Sequence, residues 1–127
     1  MTETQLQTLI DNLGAALTAG DAGALAELWD TPGLVMADEG ARAISGRDEV
    51  EAFFTQSIAA YRQQGIVATR GELLAHQMLS KRTAWVDVAW PNLDADGHEM
   101  GRERSFYLVR LGDDGVARVQ AALSVAR

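Results

Sequence analysis

The sequence predicts an α+β fold in which three N-terminal helices pack on one face of a curved antiparallel sheet. Two observations carry this. Apolar residues recur at helical spacing as far as Gly65 and at every second position beyond it, and short turn-rich stretches keep the later strands adjacent in sequence.

The elements follow in order. Leu6, Leu9, Ile10, Leu13 and Leu17 form one stripe of an amphipathic helix, which Gly20 stops. Asp21 caps a short second helix with Leu25, Leu28 and Trp29 on its apolar side, and Pro32-Gly33 ends it. Segments 34–37 and 41–44 flank Asp38-Glu39-Gly40 as a small hairpin. Ser45, three residues before Asp48, fits a capping box for the third helix. That helix places Val50, Phe53, Phe54, Ile58 and Tyr61 on one face. Segments 66–79, 82–91, 99–111 and 116–126 then read as strands. No repeat or linker divides the chain, so residues 1–127 form one domain.

Composition narrows the function. A formal net charge of −7 argues against nucleic acid, whose partners carry basic patches. The absence of cysteine excludes disulfides, thiolate metal sites and a cysteine nucleophile. The N-terminal residues show no secretory signal, and no apolar run approaches the roughly 18 residues of a membrane span. A soluble, cytoplasmic protein that does not engage membranes is expected.

Residues 20–54, GDAGALAELWDTPGLVMADEGARAISGRDEVEAFF, carry Gly20-Asp21, Trp29, the short hairpin, Ile44, Gly46-Arg47 and Phe53-Phe54. Together with FYLVRLGDDGVARVQAALS at 106–124, this stretch resembles the nuclear-transport-factor-like superfamily, which includes ketosteroid isomerase and the SnoaL-like polyketide cyclases. The resemblance implies a cone-shaped sheet wrapped around the helices, an internal cavity at its wide end, and a homodimer through the outer sheet face. It does not carry over the isomerase site. The positions of that enzyme's tyrosine, aspartate base and protonated aspartate fall on Leu13, Ala37 and Tyr107. Asp38 is one residue from the base position, and one residue along a strand turns a side chain to the other face.

The resemblance places Tyr107 in the cavity, and alternation adds Glu103 and Ser105 on the same side of the strand. Whether Asp87, which sits in the run AWVDVAWP between two tryptophans, joins them depends on the register of one hairpin. A three-residue Ala95-Asp96-Gly97 loop pairs Asp94 with His98 and sets Asp87 opposite Ser105 and Trp85 opposite Tyr107. Trp85, Asp87, Ala89, Glu103, Ser105 and Tyr107 then line the cavity, with Met36 and Phe54 completing its wall. Val86, Val88, Trp90, Phe106 and Leu108 become an apolar outer face. A two-residue Asp96-Gly97 turn, a four-residue loop from Asp94 to Gly97, or a bulge near Pro91 would shift the pairing by one. Asp87 is then sent to the face of Arg104 and Phe106 as a surface ion pair instead.

In the first register, Asp87 desolvated beside Trp85 and near Glu103 acts as a proton-transfer group, and Tyr107 donates to a carbonyl or enolate oxygen. The expected function is cofactor-independent acid–base chemistry of isomerase, dehydratase or cyclase type on a small apolar carbonyl compound. The alternative is non-catalytic binding of a small hydrophobic ligand, or a dimerisation module. His76 has no second histidine or acid at ligand spacing, His98 reads as a solvent-facing turn residue, and the two form no His-x-His or His-Glu-x-x-His pattern, so no metal or other cofactor is expected.

Overall fold

The structure is a computed structural model and describes residues 1–125; position 126, the expected end of the last strand, lies outside the described residues. Helix α1 (Glu3–Ala19) begins with a reciprocal cap: Gln5 N–H donates to Thr2 Oγ1, and Thr2 N–H donates to Gln5 Oε1 at 2.8 Å. It ends at Gly20, whose φ of 69° lies in the left-handed region. Asp21 caps α2 (Ala22–Glu27) by accepting from Ala24 N–H at 3.0 Å.

The second helix is shorter than the apolar pattern suggests. Trp29 opens strand β1 (Trp29–Ala37) instead of closing the helix, and Pro32-Gly33 lies within that strand. Strand β2 (Gly40–Ile44) completes the hairpin. Helix α3 (Arg47–Gln63) is capped by the extended backbone of Gly46, and Ser45 contributes no capping side chain. The acid that accepts from Ser45 N–H is Glu49, at 3.1 Å, and not the expected Asp48.

The expected 66–79 strand is broken into β3 (Ala68–Thr69) and β4 (Glu72–Met78). Gly71 sits at the break because the chain passes tightly over the core there. A Cβ at that position would lie 2.5 Å from Ile10 Cγ2 and 2.9 Å from the Trp90 ring. Strands β5 (Thr83–Leu93), β6 (Glu99–Leu111) and β7 (Ala117–Val125) follow.

The seven strands form a curved, unclosed sheet in the order β2-β1-β7-β6-β5-β3, with β4 also paired to β5. Every pairing is antiparallel except β1 with β7, which is parallel. The helices cover the concave face. Leu6, Leu9, Ile10 and Leu13 of α1 meet Val86, Val88, Val109 and Val119 of the sheet in one core with Leu25, Ile44 and Val50. Burying each such side chain contributes about 1.5–3 kcal/mol. Among the described residues no helix is long and apolar enough to cross a membrane.

Candidate functional site

A cavity of about 180 Å³ opens between α3 and the inner face of the sheet. Helix α3 supplies Phe53, Phe54, Ser57, Ile58, Tyr61 and Arg62 to its wall. Strands β5 and β6 supply Trp90, Asn92, Glu103, Ser105 and Tyr107. Alternation along β6 brings Glu103, Ser105 and Tyr107 to one face, as expected.

Two hydrogen-bonded pairs organise the interior. The Trp90 indole N–H donates to the Tyr107 hydroxyl oxygen at 2.9 Å, which leaves the hydroxyl proton free for another acceptor. The Tyr61 hydroxyl donates to Glu103 Oε2 at 2.5 Å, and Asn92 Nδ2 approaches Oε1 at 3.4 Å. Burial pushes the Tyr107 phenol up to about 12; Ser105 and Trp90 pull against that, and the charge of Glu103 adds to it. Burial also raises Tyr61 strongly, reinforced by its bond to Glu103. Both tyrosines are therefore neutral hydrogen-bond donors in the cavity at neutral pH.

Asp87 is not among the lining residues. The Ala95-Asp96-Gly97 loop forms as expected, with Asp94 N–H donating to His98 C=O at 3.0 Å. Immediately beyond it Leu93 pairs with Glu99 and Asn92 with Gly101, so Met100 is an extra residue on β6. This one-residue bulge shifts every later pair. Asp87 faces Phe106 instead of Ser105, and Val86 replaces Trp85 opposite Tyr107.

Trp85, Asp87 and Ala89 consequently leave the cavity for the outer face, while Val86, Val88 and Trp90 turn inward. Arg104 closes over Asp87 with two hydrogen bonds, Nε to Oδ1 at 2.8 Å and Nη2 to Oδ2 at 2.5 Å. The Asp87 bond, ahead of the opposing effect of desolvation, raises the Arg104 guanidinium further above its ordinary value. Arg104 also lies 5.1 Å over the Phe106 ring, which stacks on Trp85. Asp87 is thus consumed by a local ion pair and has no path to a cavity ligand.

Met36 is displaced as well. It pairs with Leu123 on the outer side, is 39% exposed, and lines a shallow groove with Arg42 and Phe53. Phe54 does line the cavity, packed edge-on against Phe53 and Trp29. Sequence reasoning assigned no site role to Tyr61 or Asn92 and set Trp90 on the wrong face. Gly101 carried the missed signal: a glycine inside a strand marks a bulge, and here its φ is 155°.

Asp94, Asp96 and His98 bring ligand-type atoms within 4.8 Å at the hairpin tip. Asp94 Oδ1 already accepts from Asp96 N–H and His98 N–H, each at 2.9 Å, so this carboxylate serves the turn.

A family model described as NTF2-like protein (DUF6841) matches residues 3–127. A search of curated protein sequences gave no match. Among solved structures, a domain of unknown function with a cystatin-like fold from Nostoc punctiforme PCC 73102 superposes with a TM-score of 0.79 at 18% identity, covering 100% of this chain and 80% of that one. An NTF-2 like protein of unknown function from Shewanella oneidensis MR-1 gives 0.77 at 18% identity, covering 99% and 100%. A ketosteroid isomerase-like protein from Erwinia carotovora atroseptica SCRI1043 gives 0.73 at 15% identity, covering 98% and 97%. At these identities the likeness is one of fold.

Proposed function

From the premise that the chain belongs to the NTF2-like (DUF6841) family, we propose that it binds a small, largely apolar molecule in the cavity beneath α3. One observation carries the reading. Apolar walls enclose two preorganised polar groups, the Trp90-held hydroxyl of Tyr107 and the Tyr61-held carboxylate of Glu103. A volume of about 180 Å³ suits a single ring, since cavities near 150 Å³ take up benzene. A four-ring steroid is larger than this volume.

The test is ligand-observed NMR with cyclohexanone and with a steroid ketone. Cyclohexanone saturates in the millimolar range or below, Tyr107→Phe weakens it several-fold, and the steroid shows no competition. Failure of cyclohexanone to bind, or equal competition by the steroid, overturns the reading.

A catalytic use of the same cavity is the second reading, favoured by the presence of Glu103 and Tyr107 on one inner face. Glu103 would take a proton from the carbon beside a carbonyl while Tyr107 donates to its oxygen. It predicts that the protein speeds deuterium exchange at the α-carbons of cyclohexanone and that Glu103→Gln does not. Equal exchange with both proteins leaves binding alone. Asp87, held by Arg104, has no part in either reading.

We further propose that two copies meet through the outer sheet face. Trp85, Phe106, Leu108, Leu123 and Met36 share it across four adjacent strands, and Leu108 is 46% exposed. The chain's net charge is −7, yet at the centre of this face Asp87 and Arg104 neutralise each other. A second copy can approach there without the like-charge repulsion met elsewhere.

A further inference from the structure

Among the described residues Glu103 is the one acidic side chain in the cavity wall, and no Lys, Arg or His of them pairs with it. Its hydrogen-bond partners are the hydroxyl of Tyr61 and the amide of Asn92, both neutral. Three other acids of the sheet and its turns each have an arginine partner. Asp87 has Arg104, Asp114 has Arg118 and Glu72 has Arg102. A carboxylate facing a confined, largely apolar space without a counter-ion leaves an opening for a cationic group to supply one.

The walls around that carboxylate favour the same charge. Phe53, Phe54, Tyr61, Trp90 and Tyr107 all border the roughly 180 Å³ space. The face of an aromatic ring is the negative end of its quadrupole and attracts a cation within about 6 Å. Among the described residues the one basic lining residue, Arg62, is exposed and turned to the end of α1, where its Nη2 donates to the Thr18 carbonyl at 3.1 Å. Gly20 leaves the room for that posture, because a Cβ there would sit 2.9 Å from Arg62 Nη2.

We propose that the cavity's ligand is a small organic cation, a monocyclic amine whose ammonium group pairs with Glu103 among the five aromatic rings. This rests on the cavity reading above and adds the ligand's charge to it. The Tyr61 and Asn92 bonds fix the carboxylate so that its remaining lone pairs face the ligand. Tyr107, whose hydroxyl accepts from Trp90, donates to any oxygen substituent on the ring.

The experiment compares benzylamine, benzyl alcohol and benzoate, which share one ring and differ in charge. Binding is measured by calorimetry at neutral pH, with the Trp90 indole N–H resonance reporting that the cavity is the site. The proposal expects benzylamine to bind about tenfold more tightly than benzyl alcohol or better, as a partly desolvated cation–π and ion-pair contact provides. Benzoate binds weakest. In Glu103→Gln the preference for the amine disappears while benzyl alcohol still binds, which shows an intact cavity. Equal binding of amine and alcohol overturns the cationic ligand and leaves the cavity reading standing. Tightest binding of benzoate, lost in Arg62→Gln, overturns it in favour of an anion at the rim. No perturbation of Trp90 by any of the three overturns both.

Discussion

Asp87 and Arg104 form a two-point ion pair on the outer face of the sheet, with the Asp87 side chain 6% exposed and that of Arg104 44% exposed. Removing the arginine strands a buried carboxylate, whereas removing both charges does not. Arg104→Ala is expected to lower stability, because it leaves the buried Asp87 carboxylate without its two charged hydrogen bonds. Asp87→Asn with Arg104→Met should recover most of that. Urea denaturation of the three proteins checks it, and an unchanged midpoint for Arg104→Ala would contradict the pairing.

The same residue shows what the sequence made legible and what it did not. Helical and strand periods placed α1, α3 and the final strands, because burial of one face writes itself into spacing. The face taken by Glu103, Ser105 and Tyr107 also followed, since the family resemblance set Tyr107 inward and alternation along one strand carried the other two with it. The partner strand needed a register, and the single extra residue Met100 reversed it. Trp29 misled for a related reason. Its burial suits a helix or a strand equally, and only the pairing with Val119 decides for the strand. The split at Gly71 depends on contact with Ile10 and Trp90, residues distant in sequence.

Gly71 should not tolerate a methyl group. Gly71→Ala pushes into Ile10 and the Trp90 ring, an overpacking cost of about 1–3 kcal/mol. Because Trp90 holds the Tyr107 hydroxyl, ligand affinity falls along with the thermal midpoint. Gly97→Ala makes a useful comparison. Nothing lies within 4 Å of its added carbon, and its strain comes only from a φ of 81°, so stability falls while cavity binding is kept.

Acid should loosen the β6–β7 turn. Asp114 is held down to about 2 by the Arg118 guanidinium first and by Val116 N–H second. Its folded value lies below that of an unfolded aspartate near about 4. The contribution is therefore complete above about pH 4 and is lost as the pH falls toward about 2. Asp114→Asn should flatten this part of a stability-against-pH curve. A variant that keeps the same acid slope would assign it to other carboxylates.

Light scattering at micromolar concentration is expected to give twice the chain mass, and Leu108→Lys, which sets a charge into the outer apolar face, is expected to give the chain mass alone. A monomeric wild-type protein would contradict the proposed pairing of copies without touching the cavity.

The chain has two tyrosines, and both line the cavity, so a spectrophotometric titration of phenolate formation reads the site without any label. Far-ultraviolet circular dichroism on the same samples follows the fold at each pH. With their phenols desolvated beside Glu103, neither tyrosine should ionise near the ordinary value of about 10. Tyr107 should ionise near about 12 and Tyr61 also well above the ordinary range. The raised values destabilise the fold as the pH climbs beyond about 10, where an unfolded tyrosine would ionise first. Two ordinary titrations near about 10 in a folded protein would place both hydroxyls in water and contradict the cavity on which the account is built.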